Sequence, residues 1–361
     1  MHRFIIVSVF GVLLPVAAMA ETAQIILENM RQRQQQRWAG VNTSSYVVDQ
    51  TDLGRSVLFY ERVNNQVGFR LVPPGEVQQR IETNMKLNPN AKAAISSGIL
   101  QGAFIGEKFL ASELPLPVFA KNLITNGVSA VGQFLLAANS SSAHGRETRQ
   151  DVQRAAANFA EFEKVARLAG VESLDGKEAF LLVADNLDRT QITDDGKFTL
   201  NTVNMWVDTS DYVLLGLRME GVMTSGKASR NVTILRRDYD HKETGSLYEP
   251  HRQTVAIRGI LDEKQMKEIQ KQIREFEKSK GQMQAFKARL ANLPQAQQDM
   301  MMATMRSQMA MFENMERQIA LLQGLAHNNE VAVETVVHEI RIGGLEAYVA
   351  MTAKAFGKSL D

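Results

Sequence analysis

Cysteine is missing from the whole 361-residue chain. That excludes disulfides and a lipid-modified N-terminal cysteine, so the apolar core alone must hold the fold together. Neither sign of charge is in excess: 41 Lys+Arg stand against 40 Asp+Glu, for a net charge of +1. Such a balance gives no bulk attraction to nucleic acid or to an anionic membrane. The six histidines are scattered without a close metal-ligating pair, which argues against a zinc site. There is no P-loop and no G-x-G-x-x-G. The SSSAH stretch around His144 lacks the strand–G-x-S-x-G–helix setting that positions a nucleophile. These absences lead to an expectation of a non-enzymatic protein with no cofactor and no bound metal.

The N-terminus carries a different message. His2 and Arg3 precede an apolar run from Phe4 to Val16, and Ala17-Ala18-Met19-Ala20 supplies small residues at a cleavage position. This reads as a signal peptide over residues 1–20, cut after Ala20, with the mature protein in the periplasm.

The clearest structural statement comes from Phe198 to Gly221. Val203, Met205 and Val207 alternate with Asn204, Trp206 and Asp208; Val213, Leu215, Leu217 and Met219 alternate after the turn Thr209-Ser210-Asp211. A period of two broken by turn residues predicts a long antiparallel hairpin with one aliphatic face. Val232, Ile234, Val255 and Ile257 continue that face on the next strands. Strand-like runs at 45–53, 56–63 and 67–72 come before it, and others follow to Ile260, joined by short loops. The predicted class is α+β: a strongly curved antiparallel sheet, an open half-barrel, covered by helices.

Residues 21–261 together with 330–345 are expected to form that sheet domain. Ala91–Ala138, within a helical insertion at 91–140, is rich in Ala, Gly, Leu and Phe. A helix buried against the sheet is the leading reading, with an interfacial or spanning helix as alternatives. Glu147–Ala169 reads as an amphipathic helix with Phe159, Phe162, Val165 and Leu168 inward. Residues 262–326 predict a separable antiparallel helical hairpin about Asn292-Leu293-Pro294. Glu330–Ile342 then adds the final strand. The RRDYDHKETG stretch holds Asp238, Asp240, His241 and Glu243, and reads as a solvated turn, with an acid–base or metal site as the alternative. In the second limb of the hairpin, Met302, Met305, Met309 and Phe312 suit an adaptable partner surface; loose core packing and Cu(I) binding are the other readings.

The segments GKEAFLLVADN, VNMWVDTSDYVLLGLRMEG and RRDYDHKETGSLYEPHR, with SSYVVDQTDLGRSVLFYERV near the start, resemble periplasmic lipoprotein-sorting carriers of the LolA/LolB type. The chain departs from them in the 91–138 insertion and the long hairpin. The resemblance implies a greasy cavity under helical lids that holds an acyl chain of a lipid or lipoprotein. Val203, Met205, Leu215, Leu217, Val232, Ile234, Val255 and Ile257 would line it. The alternative is an envelope adaptor gripping another protein through the Met-rich hairpin; a peripheral membrane contact is compatible with either.

Overall fold

The structure, a computed structural model, describes residues 22–50, 54–62, 69–72, 74–93, 95, 162–193, 196–226, 228–290, 294, 319 and 322–357. The signal-peptide reading, the insertion beyond residue 95 and the methionine-rich limb lie outside the described residues. Among the described residues, eleven strands form one antiparallel sheet that does not close. In chain order they are β1 (Thr43–Gln50), β2 (Gly54–Arg62), β3 (Phe69–Leu71), β4 (Arg167–Leu174), β5 (Lys177–Ala184), β6 (Arg189–Thr193), β7 (Gly196–Asp208), β8 (Leu214–Ser225), β9 (Ala228–Thr244), β10 (Leu247–Arg258) and β11 (Glu330–Ile342). Helices α1 (Ala23–Arg37), α2 (Pro74–Asn84), α3 (Glu263–Leu290) and α4 (Leu345–Ala355) flank it.

Across the sheet the order is β3-β2-β1-β11-β10-β9-β8-β7-β5-β4, with β6 pairing the far end of β7. The strands from β7 to β10 are a meander, because two- and five-residue turns connect them without crossovers. The last strand, β11, lies between β1 and β10 and joins the early strands to that meander. Ladder partners share a face. One face therefore carries Val331, Ile257, Ile234, Met219, Val203 and Ala184 in successive neighbours. Gly221 makes room on this face: a Cβ there would lie 2.6 Å from the Phe198 ring and 2.4 Å from the Thr199 carbonyl oxygen.

Helices cover both faces, each at a different end. Ala23, Ile26 and Leu27 of α1, Ile269, Ile273 and Phe276 of α3, and Ile319, Leu322 and Leu325 beyond it share one buried cluster with the β5–β11 face. Tyr348 and Val349 of α4 pack instead with Phe59, Val77 and Ile81 against the opposite face of β1 and β2. The boundary at Asp262 thus divides the chain without dividing the core.

Two local expectations are corrected. Strand β4 starts at Arg167, so Leu168 is extended, and Val165 in the helical turn 162–165 is exposed. Phe162 alone among the four described or expected inward positions is confirmed as buried; Phe159 is outside the described residues. Strand β9 runs through Asp238 to Thr244, and the turn is only Gly245-Ser246, so RRDYDHKETG is strand rather than solvated turn.

One clip fastens both ends of the 262–328 excursion. The Asn329 side chain accepts from the Leu261 amide at 3.0 Å and donates to the Leu261 carbonyl at 2.9 Å. Its own carbonyl accepts from the Gly259 amide at 2.8 Å. Asn329 does this at φ +50°, a conformation asparagine tolerates better than most residues. Asn329→Ala is expected to cost about 1–3 kcal/mol in urea unfolding, from two lost hydrogen bonds and the strained φ. An unchanged midpoint would show that the clip carries no stability.

Candidate functional site

The sheet brings together seven of the eight residues expected to line one apolar site. Val203, Met205, Leu217, Val232, Ile234, Val255 and Ile257 belong to one cluster, and each is at least 95% buried. Alternation on the strands sets this face, and α1 and α3 seal it. Leu215 does not join them. The ladder shifts between Trp206 and Val207, where Trp206 faces Gly216 but Val207 faces Leu214. That irregularity swaps the parity at the end of β8: Leu214 packs against the main cluster, while Leu215 joins Ala179, Trp206 and Val213 in a separate one. Met302, Met305, Met309 and Phe312 lie outside the described residues.

The apolar face runs into a polar row that sequence reading missed. On β9 the parity of Val232 and Ile234 continues to Arg236 and Asp238; on β10 that of Ile257 and Val255 continues to Gln253. Arg236 grips Asp238 with two nitrogens, Nε to Oδ1 at 2.8 Å and Nη2 to Oδ2 at 2.7 Å. Gln253 Nε2 adds a third donor at 2.7 Å. The Arg236 and Asp238 side chains are 11% and 2% exposed, so this is a buried, charge-assisted pair. Gln50 Nε2 reaches Thr335 Oγ1 at 3.4 Å and extends the polar row towards β1. The run of charged residues hid the row, although the period of two continued unbroken through it.

Glu249, further along β10, is the electrostatic anomaly. Burial pushes its carboxyl up to about 7, and the negative charge of Asp238 adds to the rise; Arg236, a hydrogen bond from Trp38 and Arg37 pull the other way without cancelling it. Tyr248, the residue before Glu249, packs with the Trp206 cluster instead; the His241 ring lies 5.5 Å from that of Tyr248, and burial lowers the His241 imidazole below its ordinary value. On the sheet's other side the Arg237 guanidinium covers the Trp206 ring at 4.5 Å, and the Trp206 indole donates to Glu172.

Apolar strands ending in a buried polar row suit a ligand with a greasy body and a polar head. Among the described residues no group of three or more His, Cys, Asp or Glu could hold a metal ion. Among the same residues no helix is long and apolar enough to cross a membrane. Compared with family models, curated proteins and solved structures, the chain finds no match.

Proposed function

We propose that this chain is a periplasmic, lipoprotein-carrier-like protein that holds an acyl chain of a lipid or lipoprotein against the β5–β11 face. In this reading the sheet curves around the ligand as a half-barrel. Helix α1 is one lid, and α3 with the returning segment at 319–328 forms a helical hairpin that is the other. The carrying observation is the make-up of the face itself. Six neighbouring strands contribute to one apolar surface, helices rather than a second sheet cover it, and a polar row bounds it. Side-chain packing of helices on a sheet can part without breaking the backbone ladder, which gives a ligand a way in. The same reading carries no catalytic role for any residue.

Native mass spectrometry of protein purified from a periplasmic fraction tests it. Bound lipid of definite mass is expected, together with saturable uptake of a fluorescent fatty acid by delipidated protein. Phe276→Ala should sharpen the result. Removing that buried ring is expected to destabilise the fold by about 3–5 kcal/mol, yet widen the space below α3 and preserve or increase probe uptake. Protein that carries no lipid and takes up no probe would sink the reading. A stoichiometric protein partner in place of lipid would favour the adaptor instead.

A further inference from the structure

We propose that the polar row on β10 is a headgroup subsite for a lipid whose head donates hydrogen bonds and carries no charge: a glycerol-type pair of hydroxyls, as in a monoacylglycerol. This rests on the acyl-chain site proposed above and names the lipids that such a site selects.

Two atoms carry the argument. Among the described residues, Gln253 Oε1 and His251 Nε2 are buried and have no hydrogen-bond partner. Both are acceptors. Gln253 Nε2 donates to Asp238 Oδ1 at 2.7 Å, which fixes which way round the amide lies and leaves Oε1 without a donor. His251 Nδ1 faces the Val337 carbonyl oxygen at 3.1 Å. A carbonyl can only accept, so Nδ1 holds the ring proton and Nε2 presents a lone pair. Burial, and then the Lys242 ammonium, lower this imidazole below its ordinary value, which favours the neutral ring.

Position ties the two acceptors into one site. His251, Gln253, Val255 and Ile257 alternate along β10, so both lie on the side of the sheet that carries the apolar face. Residues two apart on a strand are separated by about 6.8 Å. Two adjacent hydroxyls, each reaching an acceptor at about 2.8 Å, can span that distance. Gln253, 2% exposed, is flanked by its ladder partners Asp238 and Thr335, which makes it the centre of the row. Along β10 the row falls between Val255 of the main apolar cluster and Leu247 of a second one. Helix α1 joins the same two clusters through Met30 and Trp38, and Gln32 to Gln36 between them are all exposed. Helix α1 therefore bridges the two clusters without a packed turn.

The head that suits the row follows from what the row lacks. Buried acceptors need donors, and in the empty protein water supplies them. A hydroxyl head that displaces the water reproduces its hydrogen bonds; a methyl ester cannot. A carboxylate would turn lone pairs onto lone pairs. An ammonium would bring in a charge that the Arg236–Asp238 pair, already balanced, does not offset. Glu249 comes next on the same side of β10, which makes an amine the most searching comparison.

Displacement of a bound fluorescent fatty acid from delipidated protein tests the subsite. The competitors share one chain and differ in the head: monooleoylglycerol, methyl oleate, oleate and oleylamine. Monooleoylglycerol is expected to displace the probe at about tenfold lower concentration than methyl oleate, the effect of one or two net hydrogen bonds. His251→Phe and Gln253→Met should each cut that preference to about threefold and leave displacement by methyl oleate unchanged. If Gln253→Met does not fold, His251→Phe decides alone. Equal displacement by methyl oleate would mean that the row holds water only, and would overturn the proposal. Stronger displacement by oleate or oleylamine, or a preference that survives in the His251 variant, overturns it too. In each of those cases the probe is still bound and the acyl-chain site stands. Protein that takes up no probe at all removes the acyl-chain site and the subsite with it.

Discussion

Leu217→Glu is expected to abolish cooperative folding. Leu217 is 1% exposed in the middle of the face that α1 and α3 cover. A carboxylate there has no partner, and an unpaired buried charge costs several kcal/mol, comparable with the whole stability of many domains. Thr233→Glu is the control. It is partly exposed and lies on the opposite side of β9 from Val232 and Ile234, so a change within about 0.5 kcal/mol is expected. Leu215→Glu should also be damaging, because Leu215 is 3% exposed in its own cluster with Trp206. Thermal melts followed by far-ultraviolet circular dichroism check all three. A Leu217 variant that melts near the wild type would mean that the face tolerates water, as an open cavity would.

The second large effect concerns residues 262–326. Replacing them with a short linker is expected to destroy the cooperative transition, because Ile269, Ile273, Phe276, Ile319, Leu322 and Leu325 leave the main core together. Shortening a loop costs little in itself, and the Asn329–Leu261 clip remains in the deleted chain. A loss would therefore report exposed apolar surface on β10 and β11. A chain that still unfolds cooperatively would restore the view of the hairpin as a separable unit.

How much of this could be read from sequence depended on whether one face of an element met water. The β7–β8 hairpin was legible because Val203, Met205, Leu217 and Met219 are buried while Thr202, Asn204, Arg218 and Glu220 between them are not. Strand β4 was not, since six of its eight residues are exposed and no alternation survives. Strand β6, RTQIT, is too short and polar to carry a pattern. Charge hid the second half of β9: Arg236 and Asp238 satisfy each other inside the protein, so polarity there stopped marking the surface. Leu215 was misplaced by one ladder irregularity, which no periodicity reveals. Helix α4 was overlooked although LEAYVAMTAKA is rich in good helix formers.

The central place of β11 has a consequence for how the molecule comes into being. Tyr46 pairs with Ile340, and Arg258 with Glu330, so the strand that unites the two halves comes last of the eleven. During synthesis or threading from the N-terminus, β1 has β2 on one side at once, but its other edge must wait until β11 is made. Until then β1 and β10 each present an unpaired edge, the kind of surface that recruits wrong neighbours. Sequence separation this large slows native pairing. A ribosome or translocation channel that releases the chain early releases two sticky half-sheets. The insertion of β11 between β1 and β10 is thus the step on which aggregation and assembly compete.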